Sequence, residues 1–393
     1  MTGNSTSPIT GDTVSRDVRY GPGVITATGA AVRDLGGRRV LLVCGTRSFA
    51  DSGAHQLLEG LEEQATVRRW SQFAPNTDAA DLEQGLAVLA DFRPDVVLGV
   101  GGGSAMDMAK LLCAFAGVAD REKLRAAIRS GDPVLRRDPH LVLAPTTSGS
   151  GSEATHFAVV YVDGTKYSVS GPQLRPDRTL LDPRLAMSGS PYQRATSGID
   201  AVAQAVESLW SVGATDRSRR RARAALRLLL PAIESFVQEP EERTARAMAV
   251  GSHLAGRAID TTKTTVAHAL SYGITTGYGI SHGHAVALTL GAFIAEHARA
   301  QPRDLRAGVS AEQHAVTMAH VLEAFGATTP AEARDRFVAL CHRLGLATSL
   351  SELGVPSASA ARELAGGVNV ERLGNNPVVF DHDSLQRLLD SVY

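Results

Sequence analysis

The segment Pro94-Asp-Val-Val-Leu-Gly-Val-Gly-Gly-Gly-Ser-Ala-Met-Asp-Met-Ala-Lys110 constrains the fold of this chain more than any other. An apolar run of strand type ends in a glycine cluster and passes directly into a helical pattern. Glycines permit close backbone approach, and the N-terminus of the following helix offers free N–H groups to an anion. The unit is a phosphate cradle by mechanism. It departs from the usual dinucleotide fingerprint, because Ser104 stands where the last glycine after Gly99-x-Gly101 would fall. A second small-residue loop, Ala144-Pro-Thr-Thr-Ser-Gly-Ser-Gly-Ser-Glu153, follows another short strand-like run, Leu141 to Leu143. One such loop is often only a turn; two at strand ends carry more weight.

The alternation extends on both sides. From about Tyr20 to Leu185, β-rich runs (Arg39–Cys44, Val96–Val100, Leu141–Leu143, Phe157–Val162, Thr179–Leu181) are separated by helical segments such as Ala50–Gln64 and Asp78–Phe92. That pattern predicts a largely parallel sheet flanked by helices. Beyond Pro191, strand signals vanish and the chain becomes Ala- and Leu-rich with helical period. The expected fold is α/β: an N-terminal Rossmann-like dinucleotide-binding domain with a mostly parallel sheet, followed by an all-α C-terminal metal-binding domain. The expected boundaries are a disordered tail over residues 1–19, the α/β domain over 20–187 and the helical domain over 188–393, joined in the Gly-Ser-Pro stretch near residue 190. A chain of 393 residues suits two domains.

Charge and cysteine usage narrow the class. The 40 basic and 41 acidic side chains nearly cancel, so no global field recruits nucleic acid or a membrane surface. Cys44, Cys113 and Cys341 lack metal-type spacing, as expected of reduced structural thiols in the cytosol. The polar start has no charged-then-apolar leader, and no apolar stretch approaches transmembrane length. A cytoplasmic location is therefore expected. The arginine run from Arg217 to Arg227 places Ala222, Ala225, Leu226 and Leu229 on one stripe, which predicts a helix with a solvated basic face.

Chemistry enters with four side chains. Asp200 and Gln204 stand four residues apart in a predicted helix and so point the same way. His268 and His282 follow downstream. A carboxylate, an amide oxygen and two imidazoles can enclose one divalent cation and leave a position open for substrate. The alternative is that Asp200 caps a helix after Ser197-Gly198 and that the histidines are ordinary polar residues.

Taken together, Gly-Gly-Gly-Ser-x-x-Asp-x-x-Lys, Thr-Thr-Ser-Gly-Ser-Gly-Ser-Glu, Gly-Ile-Asp-Ala and the His268…His282-Gly pair resemble the iron-containing (group III) alcohol dehydrogenases over nearly the whole chain. The segment from Thr262 to Leu288 is most similar to the branch of phosphonoacetaldehyde (2-hydroxyethylphosphonate-forming) reductases. The resemblance implies an NAD(P)H-dependent, metal-assisted reduction of an aldehyde to a primary alcohol, with Fe(II) or Zn(II) on Asp200, Gln204, His268 and His282. Two departures from the family pattern stand out. Gln204 replaces the usual histidine ligand, and Tyr272 replaces a histidine common four residues after the first C-terminal ligand. A neutral amide oxygen is a weaker donor for these metals than imidazole.

The loop Cys44-Gly-Thr-Arg-Ser48 bears on the cofactor. NAD-preferring proteins commonly place a carboxylate there for the ribose hydroxyls; here Gly45 leaves the space open and Arg47 can pair with a 2′-phosphate. NADP(H) is expected over NAD(H). The resemblance further implies cofactor contacts from Asn76, Gly102, Gly103, Ser104, Asp107, Thr146, Thr147 and Lys166, the last just after an Asp-Gly turn.

The expected reaction takes place in a cleft between the domains. Tyr272, one helical turn beyond His268, is the expected proton donor or relay, with His284 as the second choice; a packed core tyrosine is the other reading. A phosphonate brings roughly two negative charges and needs compensating donors. Lys263, in Thr261-Thr-Lys-Thr-Thr265 and within two helical turns of the metal, and Arg175 are the candidates, against solvated surface cations. The competing readings are a generic short-chain alcohol dehydrogenase, a dehydroquinate-synthase-like lyase on a similar scaffold, and a cofactor-binding protein without catalysis. A homodimer is the expected assembly.

Overall fold

The computed structural model describes residues 17–393 except 136 and 369. By internal packing the chain divides into two compact units, one comprising residues 17–147 and 152–188, the other 148–151 and 189–393.

In the first unit, β1 (Asp17–Tyr20), α1 (Thr28–Arg33), β2 (Arg39–Cys44), α2 (Ser48–Asp51), α3 (Leu57–Glu62), β3 (Thr66–Trp70), α4 (Ala79–Phe92), β4 (Val96–Gly101), α5 (Gly103–Ala114), α6 (Arg121–Ser130), β5 (His140–Pro145), β6 (Phe157–Val162), β7 (Thr165–Ser170) and β8 (Arg178–Leu181) follow one another. Six strands pair in the order β1-β8-β5-β4-β2-β3, every pairing parallel. A parallel sheet is buried on both faces, which is why its strands read as continuous apolar runs. Leu41 and Val43 of β2 enter one core with Leu82, Leu86, Met108 and Leu112. Their neighbours Val40, Leu42 and Cys44 enter the opposite core with Ala31, Val32, Leu57 and Leu61.

Three details correct the sequence expectation. The run Phe157–Val162 does not join the parallel sheet; it pairs antiparallel with Thr165–Ser170. Asp163 and Gly164 both have positive φ (51° and 76°), the geometry of a two-residue hairpin turn that sends the chain straight back. The single helix expected over residues 50–64 is broken into α2, a 3₁₀ turn (Ala54–Gln56) and α3. Asp17–Tyr20 forms β1, whose first three residues fall in the segment assigned to a tail through residue 19; the rest of that segment, 1–16, lies outside the described residues.

The second unit consists of α7 (Pro191–Trp210), α8 (Asp216–Gln238), α9 (Glu242–Thr262), α10 (Val266–Tyr278), α11 (His282–Arg299), α12 (Ala311–Ala324), α13 (Pro330–Arg343), α14 (Ala358–Glu363), α15 (Val370–Gly374) and α16 (His382–Asp390). Among the described residues it holds no strand beyond one isolated bridge, Leu305 to Val378. The chain is thus a Rossmann-like parallel α/β unit followed by an all-helical one. In α8 the stripe Ala222, Ala225, Leu226 and Leu229 is buried while Arg217, Arg220 and Arg227 are exposed. The three cysteines are buried free thiols, and no described helix is long and apolar enough to cross a membrane.

Candidate active site

Most of the residues expected at the cofactor fall around the C-terminal ends of β2, β4 and β5, the edge at which parallel sheets bind ligands. Gly102 is the N-cap of α5, so the N-terminus of a helix of 12 residues opens on the glycine cluster. The Ser104 hydroxyl accepts the Asn76 N–H at 3.1 Å, and Thr146 donates its N–H to the Gly101 carbonyl at 2.9 Å. A side chain at Gly102 would touch Thr147 at 3.5 Å. The first unit therefore brings Asn76, Gly102, Gly103, Ser104, Thr146 and Thr147 together.

Asp107 is different. Its Oδ1 accepts the Ser152 hydroxyl at 2.5 Å and its Oδ2 accepts the Val159 N–H at 2.9 Å, so the two oxygens tie α5 to the 3₁₀ turn at Ser152–Ala154 and to β6. Burial raises its pKa against the pull of Lys110 and these hydrogen bonds. Asp107, expected at the cofactor, is thus held by two hydrogen bonds inside the first unit. Lys166 stands on β7 close enough for its charge to act on Asp107. Fully buried Lys110 completes the tie by donating to the Thr155 and Phe157 carbonyls at 3.0 and 2.8 Å. At the end of β2, Gly45 is half-buried and Arg47 exposed. Arg69, on β3, donates to the carbonyls of Gly45 and Thr46 at 2.9 and 2.8 Å. Sequence reasoning overlooked Arg69 because it belongs to a strand whose polar face gave no apolar signal.

The second unit assembles the metal candidates. Asp200, His268 and His282 each offer a ligand atom, all within 4.8 Å of one another. Asp200 and Gln204 come from buried α7, His268 from α10 and His282 from the first turn of α11. Gly283 makes this possible: a Cβ there would lie 1.9 Å from the Thr196 carbonyl oxygen and 3.0 Å from the Asp200 Cβ, so only glycine lets α11 start against α7. His268 Nε2 is 3.3 Å from Asp200 Oδ1. Gln204 Nε2 donates to Asp200 Oδ2 at 3.1 Å and to the Ser150 carbonyl at 3.4 Å. Its Oε1 is buried with no hydrogen-bond partner among the described residues. An orphaned acceptor beside a carboxylate and two imidazoles is what a cation's donor set requires. These residues fit a divalent metal.

Glu207, one helical turn past Gln204, was not singled out from the sequence. It is fully buried and accepts from His268 Nδ1, from the Thr265 hydroxyl at 2.8 Å and from the Ala267 N–H at 2.9 Å. Burial pulls the His268 pKa down, but Glu207 and Asp200 more than offset it and push it up to about 10. Burial likewise works to raise Glu207, yet His268 and the hydrogen bonds hold it below its ordinary value.

Tyr272 stacks on His282, ring centroids 6.0 Å apart and planes 20° apart. His284 is buried with both ring nitrogens engaged, Nδ1 with the Tyr192 hydroxyl at 3.1 Å and Nε2 with the Ala347 carbonyl at 2.8 Å. Burial also lowers its pKa. Both ring nitrogens are thus occupied, Nε2 donating to a carbonyl and Nδ1 accepting from a phenol. Lys263 is not inside a helix, as its setting suggested; it is the half-buried C-cap of α9, with φ +55° and ψ −177°. Arg175 is in the first unit, where its carbonyl accepts from Arg137 at 3.1 Å.

Comparison with known proteins agrees with this chemistry. Residues 15–183 match the iron-containing alcohol dehydrogenase family and residues 194–393 match the C-terminal region of the Fe-containing alcohol dehydrogenase family. A phosphonoacetaldehyde reductase of Streptomyces viridochromogenes is 34% identical over 311 residues, 77% of each chain. Long-chain-alcohol dehydrogenase 1 of Geobacillus thermodenitrificans is 34% identical over 268 residues, 66% of each chain. The crystal structure of a sulfoacetaldehyde reductase from Bifidobacterium kashiwanohense, in complex with NAD+, superposes with a TM-score of 0.84 at 26% identity, covering 96% of each chain. The chain belongs to the iron-containing alcohol dehydrogenase family. It is an oxidoreductase of that family, a metal-dependent, NAD(P)-linked alcohol dehydrogenase or aldehyde reductase.

Proposed function

We propose that the chain reduces phosphonoacetaldehyde to 2-hydroxyethylphosphonate, a step of phosphonate biosynthesis, with NADPH as the preferred donor. The observation that carries the metal part is the buried, unpartnered Gln204 Oε1 beside Asp200, His268 and His282. Those four residues would hold one Fe(II) or Zn(II). When bound, the cation supplies Lewis-acid polarisation of an aldehyde oxygen, and the reduced nicotinamide supplies the hydride.

The remaining work falls to this chain's own side chains. The α5 N-terminus, with Asn76, Ser104, Thr146 and Thr147, binds the anionic bridge of the dinucleotide. Gly45 presents no carboxylate to the ribose, and Arg47 and Arg69 bring two guanidinium groups to the same loop, which supports a 2′-phosphate. Tyr272 holds a phenolic proton beside His282 and delivers it to the alkoxide oxygen. Lys263, and Arg175 as the second candidate, neutralise the phosphonate.

Two similarities support the substrate class. The relative from Streptomyces is a phosphonoacetaldehyde reductase, and the Bifidobacterium structure is a sulfoacetaldehyde reductase. Both names describe a two-carbon aldehyde carrying a tetrahedral oxyanion. The test is NADPH oxidation by the metal-loaded protein across phosphonoacetaldehyde, sulfoacetaldehyde and uncharged aldehydes of similar length. Stoichiometric NADPH consumption with the highest kcat/KM on the phosphonate is expected. Equal efficiency on the uncharged aldehydes would leave a generic alcohol dehydrogenase, and turnover without net NADPH consumption a lyase. A cytoplasmic homodimer completes the reading, and light scattering checks the assembly.

A further inference from the structure

We propose that Glu207 is a positioning residue of the metal centre: it fixes the Nδ1–H tautomer of His268 and so presents Nε2 to the cation. The inference rests on the metal reading above. Asp200 and Glu207 are seven residues apart on α7, about two helical turns, so a single helix carries both a ligand and the group that orients another ligand. Glu207 Oε2 meets His268 Nδ1, and on the far side of the same ring Nε2 faces Asp200 Oδ1 at 3.3 Å. An ionised carboxylate is an acceptor only, so Nδ1 keeps its proton against Glu207, and Nε2, on the side of the proposed ligands, is the nitrogen left for a cation to take.

The carboxylate has little freedom to do otherwise. Trp210 Nε1–H donates to the Thr265 hydroxyl at 2.8 Å, and that hydroxyl directs its own proton to Glu207 Oε1 at 2.8 Å. The Ala267 N–H, an otherwise orphaned donor in the first turn of α10, takes the same oxygen at 2.9 Å. A buried charge held by three donors is locked in place, and His268 with it. His282 is treated alike by a weaker group. Ser271 gives its proton to the His268 carbonyl at 2.8 Å, which leaves its oxygen to accept from His282 Nδ1 at 3.3 Å. Both histidines are thereby poised to ligate through Nε2. Hydrogen bonds of this type raise ligand basicity as well as fixing the ring.

The competing account is that Glu207 only caps α10 and that its tie to His268 is incidental. The two accounts separate on metal affinity. In the full-length protein freed of metal, Glu207→Gln preserves size and α10 packing, but its amide can donate to Nδ1 and favour the opposite tautomer. Titration with Zn(II) against a chromophoric chelator is expected to show affinity roughly 10–100-fold weaker than wild type, with the helical circular dichroism retained. A folded variant with wild-type affinity would overturn the proposal and leave the metal reading standing. Failure of the wild type itself to bind Zn(II) would overturn both. If the variant does not fold, ¹⁵N spectra of the histidines in the zinc-loaded wild type decide. A protonated Nδ1 with zinc on Nε2 of His268 supports the proposal, and zinc on Nδ1 overturns it.

Discussion

The Gln204 amide nitrogen donates to Asp200 Oδ2 at 3.1 Å while the amide oxygen beside it stays buried without a partner. One side chain thus stiffens a neighbouring ligand and offers a donor of its own. The arrangement accounts for a glutamine where the family usually has a histidine: the amide replaces a strong donor by a weaker one and adds a hydrogen bond that imidazole at that place would not supply in the same way.

Gln204→His should therefore tighten metal binding by about tenfold, imidazole being the better donor for Fe(II) or Zn(II). Chelator competition measures it. Weaker binding would mean that the amide oxygen is not directed at the ion and that the hydrogen bond to Asp200 is the residue's main contribution.

His268→Ala should abolish both metal content and aldehyde reduction. It also strands the Glu207 carboxylate, which is fully buried and held by His268. Removing one partner of a buried pair costs on the order of 3 kcal/mol, so denaturant unfolding should show a clear loss of stability in a protein that still folds. Full activity after dialysis against chelator would refute the metal reading.

The elements legible in the sequence were those whose signal is local. β2, β4 and β5 are buried on both faces and read as apolar runs, and the glycine cluster after β4 announced the helix that follows. β3 escaped notice because three of its five residues are exposed. The α7 spacing identified Asp200 and Gln204, and their convergence with His268 and His282 is what the structure adds. Glu207 was invisible for a physical reason: its role depends on the Nδ1 side of a ring 61 residues away, and nothing in its local sequence marks a carboxylate that meets an imidazole.

Acid should destabilise the protein through His297, which burial holds down at about 4 from an ordinary 6.5, with His314 adding to the effect. It stacks on Trp210 with ring centroids 4.1 Å apart. A histidine whose folded pKa is depressed favours the neutral form, so its contribution is fully present above about 6.5 and is lost as pH falls towards 4. A shift of this size corresponds to roughly 3 kcal/mol once both states are protonated. Unfolding midpoints at pH 7 and pH 5, compared with those of His297→Gln, should show the wild type losing more stability than the variant. Parallel pH dependence in the two proteins would exclude this residue.

Gly45→Asp should move cofactor preference toward NADH by about tenfold or more, because a carboxylate there receives ribose hydroxyls and repels a 2′-phosphate. The new Cβ would lie 2.2 Å from the Ser48 hydroxyl, which can rotate away, so Gly45→Asp with Ser48→Ala is the companion variant. The ratio of kcat/KM for NADPH and NADH is the measurement. A ratio unchanged in both variants would show that the end of β2 does not face the ribose.

Lys263 is held at φ +55° and ψ −177°, a backbone region that side chains other than glycine rarely occupy. Asn375 brackets it, donating to the Thr262 and Thr264 carbonyls at 2.7 and 3.0 Å, and Ser211 donates to the Thr262 carbonyl at 3.0 Å. Lysine in such a conformation is strained by about 1 kcal/mol or more, which is reason to ask what its side chain does. If it pairs with a phosphonate, Lys263→Ala should lower kcat/KM for phosphonoacetaldehyde by one to two powers of ten, the worth of a charged hydrogen bond of roughly 1.5–3 kcal/mol. Uncharged aldehydes of similar length should be spared. Lys263→Gly separates specificity from packing: it should be more stable than Lys263→Ala because glycine relieves the backbone, yet show the same loss on the phosphonate. The decisive quantity is the ratio of the two efficiencies in each protein. An unaltered ratio in both variants would remove Lys263 from the anion site and transfer that role to Arg175.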